Sequence, residues 1–241
     1  MAKTRKVHPA WIAAAITWMT LVAAAGYRSA PSVLIVPLEE AFGWSRSQIS
    51  LAISVNILLY GLTAPFAAAL MERFTVRKVV MSALAAVSLG AFGTIFMNAP
   101  WQLVLLWGVV VGVGTGSMAL VFAATIASRW FLQRRGLVTG ALTAAAATGQ
   151  LVFLPALSSI AINHGWKSVS ITIAVAAAAV IPLIWWGLNE DPVAIGAKPY
   201  GAPEDWQAPA KLQGNAARNA IDALKNGAKI KDFWLLFGTF F

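Results

Sequence analysis

The sequence predicts an all-α polytopic membrane protein, and three observations predict it. Hydrophobic residues make up 59% of the chain and charged residues only 11%, where a soluble domain carries about 25% charge. Apolar runs of the ~20 residues needed to cross a bilayer recur along most of the sequence. Basic residues collect in alternate connections between those runs. These are Lys3, Arg5 and Lys6; Arg73, Arg77 and Lys78; Arg129, Arg134 and Arg135; and Lys198, Lys211, Arg218, Lys225, Lys229 and Lys231. Of the 18 Lys and Arg, only Arg28, Arg46 and Lys167 fall elsewhere. Cytoplasmic loops carry the excess of Lys and Arg, so the N-terminus is expected inside and the protein multi-pass in a plasma membrane. The net charge of +9, which would suggest nucleic acid in a soluble protein, is accounted for as this topology signal, and no nucleic-acid partner is expected.

The first span is expected near 11–37. The N-terminus imitates a secretory signal, with a basic start and small residues at Ala23 to Ala25. The apolar run continues through Val33 to Val36, however, and further spans follow, so it works as an uncleaved first helix. AFGWSRSQ connects it to a second helix near 48–71, with Trp44 suited to the headgroup level and Ser45 or Ser47 to the N-cap. The run stops at Glu72-Arg73 and restarts after Arg77-Lys78, which marks a tight hairpin into a third helix near 79–98. NAPWQ leads into a fourth near 101–128, where Gly108 and Gly112 have the small-xxx-small spacing that lets helix backbones approach. SRWFLQRRG leads into a fifth near 136–162. NHGWKS, with Gly165 as a stop and Trp166 as an interfacial anchor, leads into a sixth near 166–188. Pro65, Pro155 and Pro182 are candidate kinks.

The domain division is then 1–188 as a six-helix membrane region, 189–231 as a cytoplasmic linker, and 232–241 as the start of a truncated seventh helix. The first half of the linker, rich in Pro, Gly, Ala and charge, reads as flexible. Ala216 to Leu224 fits either a short amphipathic helix on the membrane surface or an ordinary solvated segment. FWLLFGTFF is too short to cross a bilayer, so the chain is expected to be part of a longer protein.

The hairpin carries the motif Ala68-x-Leu70-x-Glu72-Arg73-Phe74-Thr75-x-Arg77-Lys78. It resembles the loop between helices two and three of the major facilitator superfamily of secondary transporters. The acid, the arginine, the phenylalanine and the final basic pair match. Ala68 stands for the first Gly of the pattern, Glu72 for its Asp and Thr75 for its turn Gly. The resemblance covers essentially the whole chain. It implies a six-helix transporter half built of two inverted three-helix repeats, with a missing C-terminal six-helix half as partner. It also implies that Glu72, Arg73, Arg77 and Lys78 form a conformational latch with that half; read from the residues alone, they are topology determinants. Arg28, Pro37-Leu38 and Phe42 to Arg46 are further similar to bacterial members of the monocarboxylate and oxalate/formate type. Ser32 stands where animal monocarboxylate carriers have a lysine.

Arg28 is the most informative single residue. A charge inside a span costs ~2.5–3.5 kcal/mol on insertion scales, so it should face a bundle interior or a water-filled cavity. Its guanidinium suits a carboxylate held by two hydrogen bonds. Two other readings stand beside this one: snorkelling to the outer surface, and a structural pairing with Glu39 or Glu40. Asn56 and Gln150 lie near mid-membrane on helices two and five, which line the cavity in the superfamily. Each is a candidate to bind substrate or to make an interhelical hydrogen bond, and Tyr27 and Tyr60 are further candidates.

The expected function is alternating-access transport of a small solute, best matched by a small organic anion such as a monocarboxylate. Efflux of a drug-like or hydrophobic compound and a non-transporting half-transporter fragment are the alternatives. An enzyme is not expected, because buried His, Asp and Cys are missing. No cofactor or metal is expected: the chain has no cysteine and its two histidines, His8 and His164, are far apart. No acid lies within the six spans, so proton or ion coupling would use other groups.

Overall fold

The architecture is seen in a computed structural model that describes residues 8–118, 120–208, 225–231 and 234. Among the described residues there is no strand, and five helices are long and apolar enough to cross a membrane. They are α1 Pro9–Phe42, α2 Arg46–Arg73, α3 Val76–Phe96, α4 Pro100–Trp130 and α5 Arg135–Gly187. The 53 residues of α5 would reach ~80 Å at ~1.5 Å per residue, against a hydrocarbon core of ~30 Å. Gly165 divides it. At φ 77 and ψ 172 it leaves the helical region, which a residue without Cβ does at little cost. The arms 135–164 and 166–187 are therefore the fifth and sixth spans.

The contacts fix the direction of every span. Gly149 packs on Val22 and Ala25, and Gly26 packs on Phe153, so α1 and the first arm run parallel. Gly108, Gly112 and Gly116 pack on the backbone of Ala52, Asn56 and Tyr60 in turn, so α2 and α4 run parallel. Thr94 bonds Ser170, Ser88 bonds the Ala174 carbonyl and Arg77 bonds the Trp185 carbonyl, so α3 and the second arm run antiparallel. Gly90 meets Val111 while Gly114 meets Ala83, which makes α3 and α4 antiparallel. Gly187 seats Ile16, setting the second arm against α1. Six spans alternate in direction. One end of the bundle gathers His8, the α2–α3 and α4–α5 turns and Gly187; the other gathers the α1–α2 and α3–α4 turns and Gly165.

Local chemistry explains where the helices stop. Helix α1 was expected to end near Pro37 but continues through Pro31 and Pro37 to Phe42. A proline removes one donor and frees one carbonyl, which neighbouring groups in a membrane helix can re-satisfy. The stop is Gly43, in the left-handed conformation at φ 67, whose N–H bonds the Glu39 carbonyl at 2.9 Å. Ser45 then opens α2 with a reciprocal capping box to Gln48. Pro65, Pro155 and Pro182 lie inside continuous helices. The irregularities fall elsewhere, at Gly165 and in α4, which is π-helical over Val104–Val111 and leaves the helix at Met118.

The chain beyond α5 is anchored where its composition suggested flexibility. The Tyr200 N–H bonds the Trp130 carbonyl at 2.8 Å, and its own carbonyl accepts from Leu132 and Gln133. Its ring packs edge-on against His8 and Trp11, at 5.5 and 5.6 Å between centroids. Residues 188–201 thus strap the basic end of the bundle. The expected surface helix at 216–224 lies outside the described residues, as does the expected start of a seventh helix apart from Trp234.

Candidate functional site

The midpoint of α1 falls at Ala25 and Gly26, that of α2 at Leu59 and Tyr60, and that of the first arm of α5 at Gly149 and Gln150. Polar groups from three spans therefore reach mid-depth: Arg28, Tyr60 with Asn56, and Gln150. Arg28 and Tyr60, 32 residues apart, are in contact. The Arg28 Nη1 donates to the Tyr60 hydroxyl at 3.3 Å, and its guanidinium carbon lies 4.4 Å from the ring centroid. That is cation–π geometry. The side chain reaches sideways to the next helix rather than along α1 to the surface, and it remains exposed.

Neither acid near the end of α1 neutralises Arg28. Glu39 is taken by Arg46, with Nε to Oε1 at 3.1 Å and Nη2 to Oε2 at 3.4 Å. This is the one ion pair among the described residues, and it closes the α1–α2 turn. Glu40 lines a cleft of about 930 Å³ between the C-terminal part of α1 and the part of α5 around Gly165, together with Ser32, Val36, Leu154, Ser158 and Trp166. Ser32 is the lining residue nearest Arg28 along α1, one turn away on the same face. The cleft can form because the parallel helices touch at Gly26 and Phe153 and leave space beyond that contact.

The other candidates have different surroundings. Asn56 donates from Nδ2 to the Trp107 carbonyl at 2.8 Å. That carbonyl lies in the π-helical stretch Val104–Val111. This interhelical hydrogen bond ties α2 to α4. Tyr27 is 2% exposed in the core, away from Arg28 along the helix circumference. Its hydroxyl is buried with no hydrogen-bond partner among the described residues. Gln150 is exposed, one residue past the Gly149 contact with α1.

At the hairpin, α2 passes into α3 through Phe74 and Thr75 alone. Thr75 holds φ 147 and ψ 148, a region that glycine normally occupies, and its hydroxyl caps α3 by accepting from the Lys78 N–H at 3.2 Å. Glu72, Arg73 and Lys78 are exposed. Arg73 lies over the Phe74 ring, and Glu72 has no ion pair among the described residues. Arg77 turns inward instead. Its Nη1 donates to the Trp185 carbonyl at 3.3 Å and its guanidinium lies 5.2 Å from the Trp185 ring centroid. The hairpin is thereby tied to the last span of the same bundle. The sequence reading missed Trp185 and Trp107 as partners. The four-residue spacing of Gly108, Gly112 and Gly116 was the available signal that α4 meets α2 over three turns.

Among the described residues no group of three His, Cys, Asp or Glu could hold a metal ion. The arrangement brings a cation and hydrogen-bonding groups to the middle of three helices.

The chain is 28% identical over 185 residues to the uncharacterized MFS-type transporter YcxA of Bacillus subtilis, covering 76% of this chain and 45% of that protein. It is 29% identical over 130 residues to human Monocarboxylate transporter 7, covering 54% of this chain and 25% of that protein. It thus spans less than half the length of either relative. Its fold matches the proton:xylose symporter XylE, solved with 6-bromo-6-deoxy-D-glucose, at a TM-score of 0.67 and 16% identity over 95% of this chain and 56% of that one. These are transporters and not enzymes, and they place the chain in a membrane as a multi-pass protein. The profile of the Major Facilitator Superfamily matches residues 16–241, and the chain belongs to that family.

Proposed function

We propose that this chain is the N-terminal half of a secondary active transporter that carries a small organic anion, a monocarboxylate in the first instance, by alternating access. The observation that carries the substrate class is Arg28: a permanent cation near mid-span, exposed, with no carboxylate partner among the described residues. A cation so placed, with donors to spare, invites a carboxylate to complete it. The monocarboxylate name of a relative points the same way. A second six-span half would cover the exposed mid-depth groups, and residues 189–231 would link the halves.

Several features support the wider reading. Exchanging spans one, two and three for four, five and six maps the contacts onto themselves. The first-with-fifth pairing becomes fourth-with-second, and third-with-fourth becomes sixth-with-first. This pattern supports two inverted repeats. Arg73, Arg77, Lys78, Arg129, Arg134, Arg135 and Lys198 share the end that holds His8, which supports an N-terminus in the cytoplasm of a bacterial inner membrane. Glu72, exposed beside Arg73 and Lys78, is the acid available to a latch with the second half, while Arg77 steadies the hairpin from its own side. Coupling to a proton or ion gradient would draw on groups outside these spans.

The test is uptake by the intact transporter in liposomes. Arg28→Ala is expected to lower carboxylate uptake about 10- to 100-fold, the value of one charge-assisted contact. Arg28→Lys, which keeps charge but not the planar fork, should restore part of it. Wild-type uptake by a folded Arg28→Ala protein would remove Arg28 from the site.

A further inference from the structure

We infer that Tyr60 is a positioning residue for Arg28, setting the orientation in which the guanidinium meets a carboxylate; the inference rests on the substrate reading above. A free arginine side chain has many rotamers, and most of them would not present a pair of parallel donors to one point. Here two contacts to the same ring system restrict it. The guanidinium carbon lies 4.4 Å from the ring centroid, and Nη1 reaches the hydroxyl at 3.3 Å. The guanidinium carbon sits over the ring, and the hydroxyl takes one of the five N–H donors. The others stay at the planar edge, the geometry that suits the two oxygens of a carboxylate.

Tyr60 is itself held by α4. A Cβ at Gly116 would come within 2.8 Å of the Tyr60 carbonyl oxygen and 2.9 Å of its Cα, so only glycine lets the two backbones approach there. One turn earlier on α2, Asn56 holds the Trp107 carbonyl at 2.8 Å. Two fixed points on α2, at 56 and 60, therefore hold the backbone that carries the ring against α4, and the ring meets the arginine from that fixed backbone. The order of action runs from α4 through Tyr60 to Arg28, with no contact from Tyr60 to substrate required.

The experiment measures KM and maximal uptake rate in liposomes for three monocarboxylates that differ beyond the carboxyl group: one short and aliphatic, one hydroxylated and one aromatic. Tyr60→Phe keeps the stacking face and loses the hydroxyl, so KM should rise about 3-fold. Tyr60→Leu loses both and should raise KM about 10-fold or more, with the maximal rate within about 2-fold of wild type. The factor should be the same for all three substrates, because only the shared carboxylate meets Arg28. Factors that differ among the substrates would show that Tyr60 touches substrate itself, and would overturn the inference. So would an unchanged KM in Tyr60→Leu when Arg28→Ala abolishes uptake, and that outcome leaves the substrate reading intact. Failure of Arg28→Ala to affect uptake would instead overturn the substrate reading. If Tyr60→Leu does not fold, Tyr60→Phe decides alone, by whether its KM rises equally for the three substrates.

Discussion

Thr75 stands where the superfamily's hairpin pattern has glycine, and it adopts a backbone conformation at φ 147 and ψ 148 that an L residue pays for. Such a conformation costs about 1–3 kcal/mol, while the cap its hydroxyl gives Lys78 returns about 1 kcal/mol. Two substitutions separate these terms. Thr75→Ala keeps the strain and loses the cap, so its thermal midpoint in detergent should fall below wild type. Thr75→Gly loses the cap and the strain together and should melt above Thr75→Ala by the equivalent of about 1–3 kcal/mol. A Thr75→Gly protein that melts below Thr75→Ala would contradict the strain. Other residues were less legible. The depth of Arg28 could be read from its place in an apolar run. Its partner could not, because the Tyr60 contact depends on how α1 and α2 are rotated about their axes. The partner of Asn56 likewise depends on how α2 and α4 are rotated about their axes.

Among the elements, the long apolar helices fall where the apolar runs placed them, because bilayer thickness sets the length of such runs and basic residues punctuate them. Gly165 and Ser45 act as the expected stop and cap. The strap formed by residues 188–201 was hidden for a physical reason. Pro, Gly and Ala signal the lack of regular structure, which is correct here, and say nothing about docking. Its anchor is one aromatic side chain, Tyr200, in a socket of His8, Trp11 and Phe131. Half-burying such a ring is worth about 1–1.5 kcal/mol. Tyr200→Ala should therefore speed hydrogen exchange at the Leu132 and Gln133 amides, which donate to the residue 200 carbonyl, by about 5- to 10-fold. Unchanged protection at those two amides would mean that the ring does not hold the strap.

At the scale of the molecule, the bundle is unevenly buried. Over its most apolar stretch α1 is 56% buried and α2 only 17%, so α2 offers its surface to lipid or to another set of helices. The three spans that bring polar groups to mid-depth are α1, α2 and the first arm of α5, and those groups are exposed or partly so in Arg28, Tyr60, Asn56 and Gln150. The proposed half-site would account for a charge within an apolar helix and for an apolar bundle with an open side. Fold alone does not name a substrate. The direct measurement is uptake of labelled monocarboxylates by the intact transporter in liposomes, with and without an imposed proton gradient. Saturable uptake, competed by other monocarboxylates and driven by the gradient, is the result predicted here. No uptake or exchange of any monocarboxylate, in vesicles shown to hold folded protein, would contradict the account and leave either another class of solute or a bundle that does not transport.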